Sequence, residues 1–387
     1  MGPILNNILR YNKKTFICLL SFIIIFFYAG VLQAADIKVR TGVNYDWWDD
    51  NNDSKASQVY IPLRVESKIQ QISVSVITGY ASTHINPAGK ESRSLNSLLD
   101  TKVNTSYELS GNLPVDLLIG FDINLPTGKT ALKEEDLVLI MDPDLISINN
   151  FGEGLDINPT LVVTKEMGKW VGGIGLGYAW RGTYDYSAAV TDFNPGDIIN
   201  SSADIRYSFS PQMTGRFLGN IALYGTDKVD GKDFYREGNL LLLGIGLHYS
   251  RTKWDGDFTL RTIFRGKSEF QEGSEGIISE AKKSHGDEWI GDINLRYLLN
   301  DSITLKSSLQ CRWISENDYA TDSNLFIGER EKFSLKLGAS KIFMPNLDGE
   351  VMVKGFVIHD GERRFPEERG ERDYKGGSLE VVLTTRF

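Results

Sequence analysis

The chain ends Leu379-Glu380-Val381-Val382-Leu383-Thr384-Thr385-Arg386-Phe387. Successive side chains of a strand point to opposite faces. On that period Leu379, Val381, Leu383, Thr385 and Phe387 share one face. Ser378, Glu380, Val382, Thr384 and Arg386 share the other. One reading is a half-buried strand closing a soluble sandwich. The other is a strand with lipid on its apolar side and water on its polar side. The remainder of the chain separates the two.

The N-terminus reads as an export signal. Arg10, Lys13 and Lys14 precede an apolar run from Phe16 to Val31, and Leu32-Gln33-Ala34-Ala35 follows with small residues. That order is the signature of a cleaved secretory peptide. The cut is placed after Ala34, with Ala35 allowed, so residues 1–34 are signal and 35–387 the mature domain. The alternative, a retained anchor, needs an apolar run of about 20 residues, and this run falls short. Cys18 lies early in the run, away from the small residues, unlike an acylation site.

The mature chain has no second apolar run long enough for a membrane helix. The protein is 41 % hydrophobic, with 38 Gly, 16 Tyr, 19 Phe and 7 Trp. Strands, tight turns and aromatic anchors fit that composition. Cys311 is the one cysteine after the cut, so no intramolecular disulfide forms. The net charge of −9 argues against nucleic acid as a partner.

Strand-like segments fall at 37–48, 57–67, 70–82, 100–109, 115–125, 156–166, 170–184 and 198–208. Others fall at 213–225, 238–250, 254–267, 287–299, 302–315, 329–342, 349–359 and 374–387. The count is sixteen, or fourteen if 70–82 or 100–109 is misread. The connections alternate. Short ones include Met167-Gly168-Lys169, Ser210-Pro211-Gln212 and Asn300-Asp301. Long ones are 49–56, 83–99, 126–155, 185–197, 226–237, 268–286, 316–328 and 360–373. Short periplasmic turns and longer outside loops mark a transmembrane antiparallel up-and-down β-barrel. Within 115–125, Val115, Leu117, Ile119, Phe121 and Ile123 alternate with Asp116, Gly120, Asp122 and Asn124. A charge on a lipid face costs about 2–4 kcal/mol near the midplane, so the charged faces point into the lumen.

One block carries a family resemblance. It runs Leu125-Pro126-Thr127-Gly128-Lys129, Phe151-Gly152-Glu153-Gly154-Leu155-Asp156, Thr164-Lys165, Gly175-Leu176-Gly177-Tyr178, Arg181-Gly182 and Phe193-Asn194-Pro195-Gly196-Asp197. It resembles the outer-membrane family named for the meta-pathway of phenol degradation. The closing strand, ending on Phe387, likewise resembles that of Gram-negative outer-membrane barrels. The resemblance implies an outer-membrane channel for aromatic or other small organic compounds. It also implies that Phe387 is a mark read by the barrel-assembly machinery. The glycines read equally well as turn and strand-end residues.

Candidate chemistry is sparse. His84, His248, His285 and His359 show no metal-ligand spacing, and no G-x-S-x-G elbow occurs. No cofactor motif is present, and the chain is not read as an enzyme. Asp49-Asp50-Asn51-Asn52-Asp53 offers hard oxygen ligands for Ca²⁺, or is a solvated loop. The expected lumen wall carries Arg181, Arg206, Arg216, Arg261, Arg265, Arg296, Lys306 and Arg312, among acids such as Asp204, Asp257, Asp292 and Glu380. Loop 126–155 carries Glu134, Glu135, Asp136, Asp142 and Asp144 around the apolar residues Leu137–Met141 and Leu145-Ile146. An apolar stretch of that size does not sit freely in water. It either folds into the lumen as a constriction, its acids facing Arg261, Arg265, Arg296 and Arg312, or extends outward as a hairpin.

The expected function is passive diffusion of small solutes across the outer membrane of a Gram-negative bacterium. The partners are outer-membrane lipids, the assembly machinery and the solutes. The alternatives are a non-transporting barrel, adhesive or structural, and less readily an outer-membrane hydrolase. With the first strand starting close to Ala34, no plug or N-terminal hatch is expected. The identity of the solute and the oligomeric state are not legible in the sequence.

Overall fold

The computed structural model describes residues 36–111, 113–271 and 276–387, so the signal segment 1–34 lies outside the described residues. The strands are β1 (Asp36–Asp50), β2 (Lys55–Ile69), β3 (Ile72–Asn86), β4 (Arg93–Leu98), β5 (Thr101–Leu109), β6 (Asp116–Leu125), β7 (Asp156–Met167) and β8 (Trp170–Arg181). Next come β9 (Phe193–Asn194), β10 (Ile198–Ser210), β11 (Met213–Tyr224), β12 (Asp227–Val229), β13 (Lys232–Arg236), β14 (Leu240–Ser250) and β15 (Trp254–Arg265). The last are β16 (Glu269–Gln271), β17 (Ile277–Ser279), β18 (Glu288–Asn300), β19 (Ile303–Ile314), β20 (Arg330–Met344), β21 (Leu347–Asp360) and β22 (Arg372–Arg386). A 3-10 helix, Glu134–Leu139, lies between β6 and β7.

Seventeen of these strands form one sheet that closes on itself, because β1 pairs with both β2 and β22. The barrel has sixteen staves. β3 pairs with β4 along its second half and with β5 along its first, so β4 and β5 are two lengths of one stave, broken at Leu99-Asp100. Closure leaves no edge, which a sheet in hydrocarbon requires. Ile37 and Phe387 exchange backbone hydrogen bonds, 3.4 Å and 2.9 Å, so the two described chain ends meet at the short-turn rim.

The outer face follows from the period of two. Ile174 and Leu176 are 65 % and 56 % exposed, and Leu335, Leu337, Val351, Val353, Leu379, Val381 and Leu383 are exposed likewise. Apolar exposure of that extent, wrapped round a closed barrel, is a lipid-facing band. Aromatic residues border it. Trp170 packs against Tyr207 and Trp254 against Tyr297, each pair at 4.5 Å with tilted rings, on the short-turn side. Tyr45, Trp47, Tyr178, Trp180, Trp289 and Trp313 stand exposed towards the long-loop side.

The structure departs from the expected strand boundaries in three places. The loop expected at 49–56 shrinks to 51–54, because the ladder continues through Trp48↔Ala56 and Asp49↔Lys55. The loop expected at 83–99 contains β4, paired to the end of β3. The long connections around 185–197, 226–237 and 268–286 assemble a second sheet, in the order β17-β16-β13-β12-β9. Its strands are two to five residues long and leave no readable period.

Candidate functional site

The lumen wall is built by register. In an antiparallel pair, directly opposed side chains lie on the same face about 5 Å apart. Charges of opposite sign meet along one strand, between neighbouring strands and, for Lys306 and Glu350, across the strand between them. Asp204 on β10 accepts from Arg206 and from Arg216 on β11. Arg261 meets Asp292 at 2.5 Å, Arg296 meets Asp255 at 2.5 Å, and Lys306 meets Glu350 at 2.6 Å. Arg265 pairs with Glu237, in the connection before β14, at 2.5 Å. Arg181 lies at the long-loop end of β8, opposite Asp156, and has no ion pair among the described residues.

Segment 126–155 enters and leaves through a narrow neck. The Asp100 carboxylate, at the break between β4 and β5, accepts from the amides of Gly128 (2.8 Å) and Glu153 (2.7 Å) and from Asn124 Nδ2 (2.8 Å). The two limbs touch there. A Cβ at Gly128 would fall 1.9 Å from the Phe151 carbonyl oxygen, and one at Gly152 would press on the backbone of residues 128 and 129. Gly154 has φ +86°, which L side chains avoid. Gly128, Gly152 and Gly154, from the motifs that carry the family resemblance, thus build this neck.

Beyond the neck the chain lies inside the barrel. Leu132, Leu139, Met141, Leu145, Ile146 and Phe151 are buried in one cluster with Trp48, Ala56, Ala81, Ile85, Leu95, Phe356, Ile358 and Tyr374. Those wall residues come from β1 to β4, β21 and β22, and none from β7 to β18. The Ser147 amide donates to Asp46 (2.9 Å). Gln58 bonds both the amide and the carbonyl of Ile148, each at 2.8 Å. Asp144 is the anchor. It contacts Lys332 at 2.7 Å, Arg312 at 2.6 Å and Arg330 at 3.5 Å, while Asp142 pairs with Arg330. Burial alone would push the Asp144 carboxyl up. Lys332, with Arg312 and Arg330, outweighs burial and holds it below the ordinary value of 3.8.

The other expected loop acids divide. Glu135 lies 3.9 Å from Arg93 and 4.0 Å from Lys133. Glu134 and Asp136 make no ion pair among the described residues. Arg312 meets one loop acid, Asp144. Arg261, Arg265 and Arg296 meet none among the described residues: a carboxylate on the neighbouring strand or connection holds each of them, and the ion pairs of the inserted segment end at Arg312 on β19. Arg330, Lys332, Gln58 and Asp100 complete the site and were not singled out in the sequence. A signal existed for two of them, since Arg330, Lys332, Ser334 and Lys336 alternate with Glu331, Phe333, Leu335 and Leu337.

The structure also gathers His248, Asp255 and Asp257, which sit on two strands and show no spacing in sequence. Their ligand atoms lie within 4.8 Å of one another. Asp257 already holds His248 Nδ1 at 2.9 Å, and Arg296 holds Asp255. A metal ion would have to displace a guanidinium, so no metal is assigned. In the loop 51–54 region, Asp50 accepts from the amides of Asn52 and Ser54, 2.9 Å each, and pairs with Arg372 at 2.5 Å. Those carboxylate oxygens are engaged by protein donors, which leaves the Ca²⁺ reading without support.

A closed barrel with an apolar, aromatic-bordered outer band and a charged interior defines a β-barrel of the bacterial outer membrane. Within that class the chain belongs to the family described as "Putative MetA-pathway of phenol degradation", whose model matches residues 26–274. No curated protein sequence matches it. Among solved structures it is similar to OccAB1 of Acinetobacter baumannii, at 9 % identity and TM-score 0.49, covering 92 % of this chain and 98 % of that one. It is similar to OprD of Pseudomonas aeruginosa, at 9 % identity and TM-score 0.44, with coverage of 92 % and 96 %. It is also similar to the P. putida toluene transporter TodX, at 9 % identity and TM-score 0.39, with coverage of 91 % and 89 %. At this distance these likenesses say nothing about what crosses this barrel.

Proposed function

We propose that the protein is a passive channel for small solutes, narrowed by segment 126–155. One observation carries this reading. The inserted segment packs against one arc of the inner wall, while on the facing arc, beyond the Asp204–Arg206–Arg216 cluster, β8, β10 and β11 present two rows of small, uncharged side chains. Gly177, Asn200 and Ala222 form one cross-strand row there, and Gly175, Ser202 and Asn220 the next. Such a wall leaves room for water and for a solute beside the segment. In this reading Asp142 and Asp144 hold the constriction in place, and Arg206, Arg216, Arg261, Arg265, Arg296 and Lys306 set the field along the passage. Family membership favours aromatic or other small organic compounds. Transport and not catalysis is the activity assigned.

Reconstitution tests the proposal. Purified protein in planar bilayers should give discrete single-channel steps, and liposomes containing it should swell in small aromatic and aliphatic solutes. Folded, heat-modifiable protein without conductance or swelling would leave a structural or adhesive barrel. Phe387 belongs to assembly in this reading: its side chain is 74 % exposed at the rim. Its deletion should lower the amount of barrel in the outer membrane without altering the conductance of what assembles.

A further inference from the structure

The register of β20 and β21 sets Lys336 directly opposite Lys354, both facing the lumen. Like charges opposed on neighbouring strands destabilise a sheet. Lys336 has a partner, Glu380 at 2.7 Å. Lys354 has no carboxylate within ion-pair distance among the described residues, and its Nζ lies 5.4 Å from the centroid of the Phe356 ring. The carboxylates around it are engaged. Asp144 belongs to Lys332, Arg312 and Arg330. Asp46, in the same cross-strand row beyond Ser378, accepts from Asn44 and from the Ser147 amide. Lys354 therefore stands half-buried at the level where the inserted segment meets the wall, with a second ammonium across from it.

We propose that Lys354, reinforced by Lys336, binds the carboxylate of a small anionic solute passing the inserted segment. This rests on the channel reading and names its substrate class. Two ammonium groups share one row, and only one of them is neutralised, so an incoming anion meets uncompensated positive charge there. Partial desolvation strengthens that attraction over its value in bulk water. A negative charge on the solute is the recognised feature.

Full-length protein in detergent micelles, folded as judged by heat-modifiability, is titrated with benzoate and with benzyl alcohol by equilibrium dialysis. Wild type is expected to bind benzoate at least tenfold more tightly than benzyl alcohol, Lys354→Met to lose that preference, and Lys354→Arg to keep it. Equal benzoate binding by wild type and Lys354→Met overturns the proposal, as does a wild type that does not bind benzoate. Because binding is read without conduction, benzoate binding in a barrel that passes no current would sink the channel reading and leave this site standing.

Discussion

Two arcs of the barrel share one kind of outer face and differ completely inside. From β19 through β22 and on to β4, the lumen wall carries large residues, Trp48, Phe356, Ile358 and Tyr374, and the inserted segment covers them. From β8 to β11 the lumen wall carries two rows of Gly, Ala, Ser and Asn beside charged residues such as Asp204, Arg206 and Arg216, and none of its residues joins the buried cluster. The filled arc gains apolar burial, and its ion pairs are shielded from water. The facing arc keeps its charges in cross-strand ladders that are half in water, where each pair contributes little. The same barrel thus combines a stably docked obstruction with a wettable wall, and neither arc makes a passage of defined width without the other.

The sharpest way to break this contrast is to remove the obstruction. Deletion of 132–146 keeps the neck at Gly128 and Gly152 and should raise single-channel conductance severalfold, with heat-modifiability unchanged. Unchanged conductance would place the narrowest point elsewhere.

Asp144→Asn should act in the same direction through one group. It leaves Lys332, Arg312 and Arg330 short of an anion, and breaking a buried pair of this kind costs about 3–5 kcal/mol. Open-state noise and mean conductance should both increase. The wild-type anchor should also resist acid. A carboxyl held below its ordinary value contributes stability that is present above 3.8 and lost only as pH falls through the still lower folded value. Conductance followed against pH should therefore show no release of the segment at or above 3.8; release near neutrality would contradict the assigned anchor.

Charge reversal separates the arcs. Arg261→Glu, on the side without the segment, should shift the reversal potential towards cation preference at constant conductance. Arg312→Glu should shift it and raise conductance together, because Arg312 also holds Asp144. Both shifts should shrink as salt rises, since the screening length is about 10 Å at 0.1 M. If the two variants behave alike, the division into arcs is wrong.

The smallest effect is expected from Gly177→Leu. A Cβ there would meet Asn158 and Thr160 at 3.5 Å, ordinary contact, so the strand should tolerate it. The side chain would enter the lumen and lower conductance by a fraction, whereas the same bulk on the lipid face should leave it unaltered.

Much of the barrel was legible beforehand. Leu379, Val381 and Leu383 alternate with Glu380 and Val382 because lipid and lumen make opposite demands at each step along a strand. The sixteen staves and the alternation of short and long connections follow from that period. β4 and the second sheet were not legible, because strands of two to six residues hold too few alternations. The inserted segment was half legible. Its apolar run and its acids required cover, but Arg261, Arg296 and Arg312 look alike in sequence, and a period of two does not tell which cation a loop will reach.

The sequence by itself determined the strand period, the lipid-facing side of each stave and the family, since each of these is a local pattern repeated many times. Only the tertiary structure decided which arc the segment covers, that Asp100 closes its neck, that Asp144 meets Lys332 and that Lys354 is left beside Lys336. Those contacts join residues far apart in the chain, and cross-strand register together with closure of β1 on β22 sets their distances.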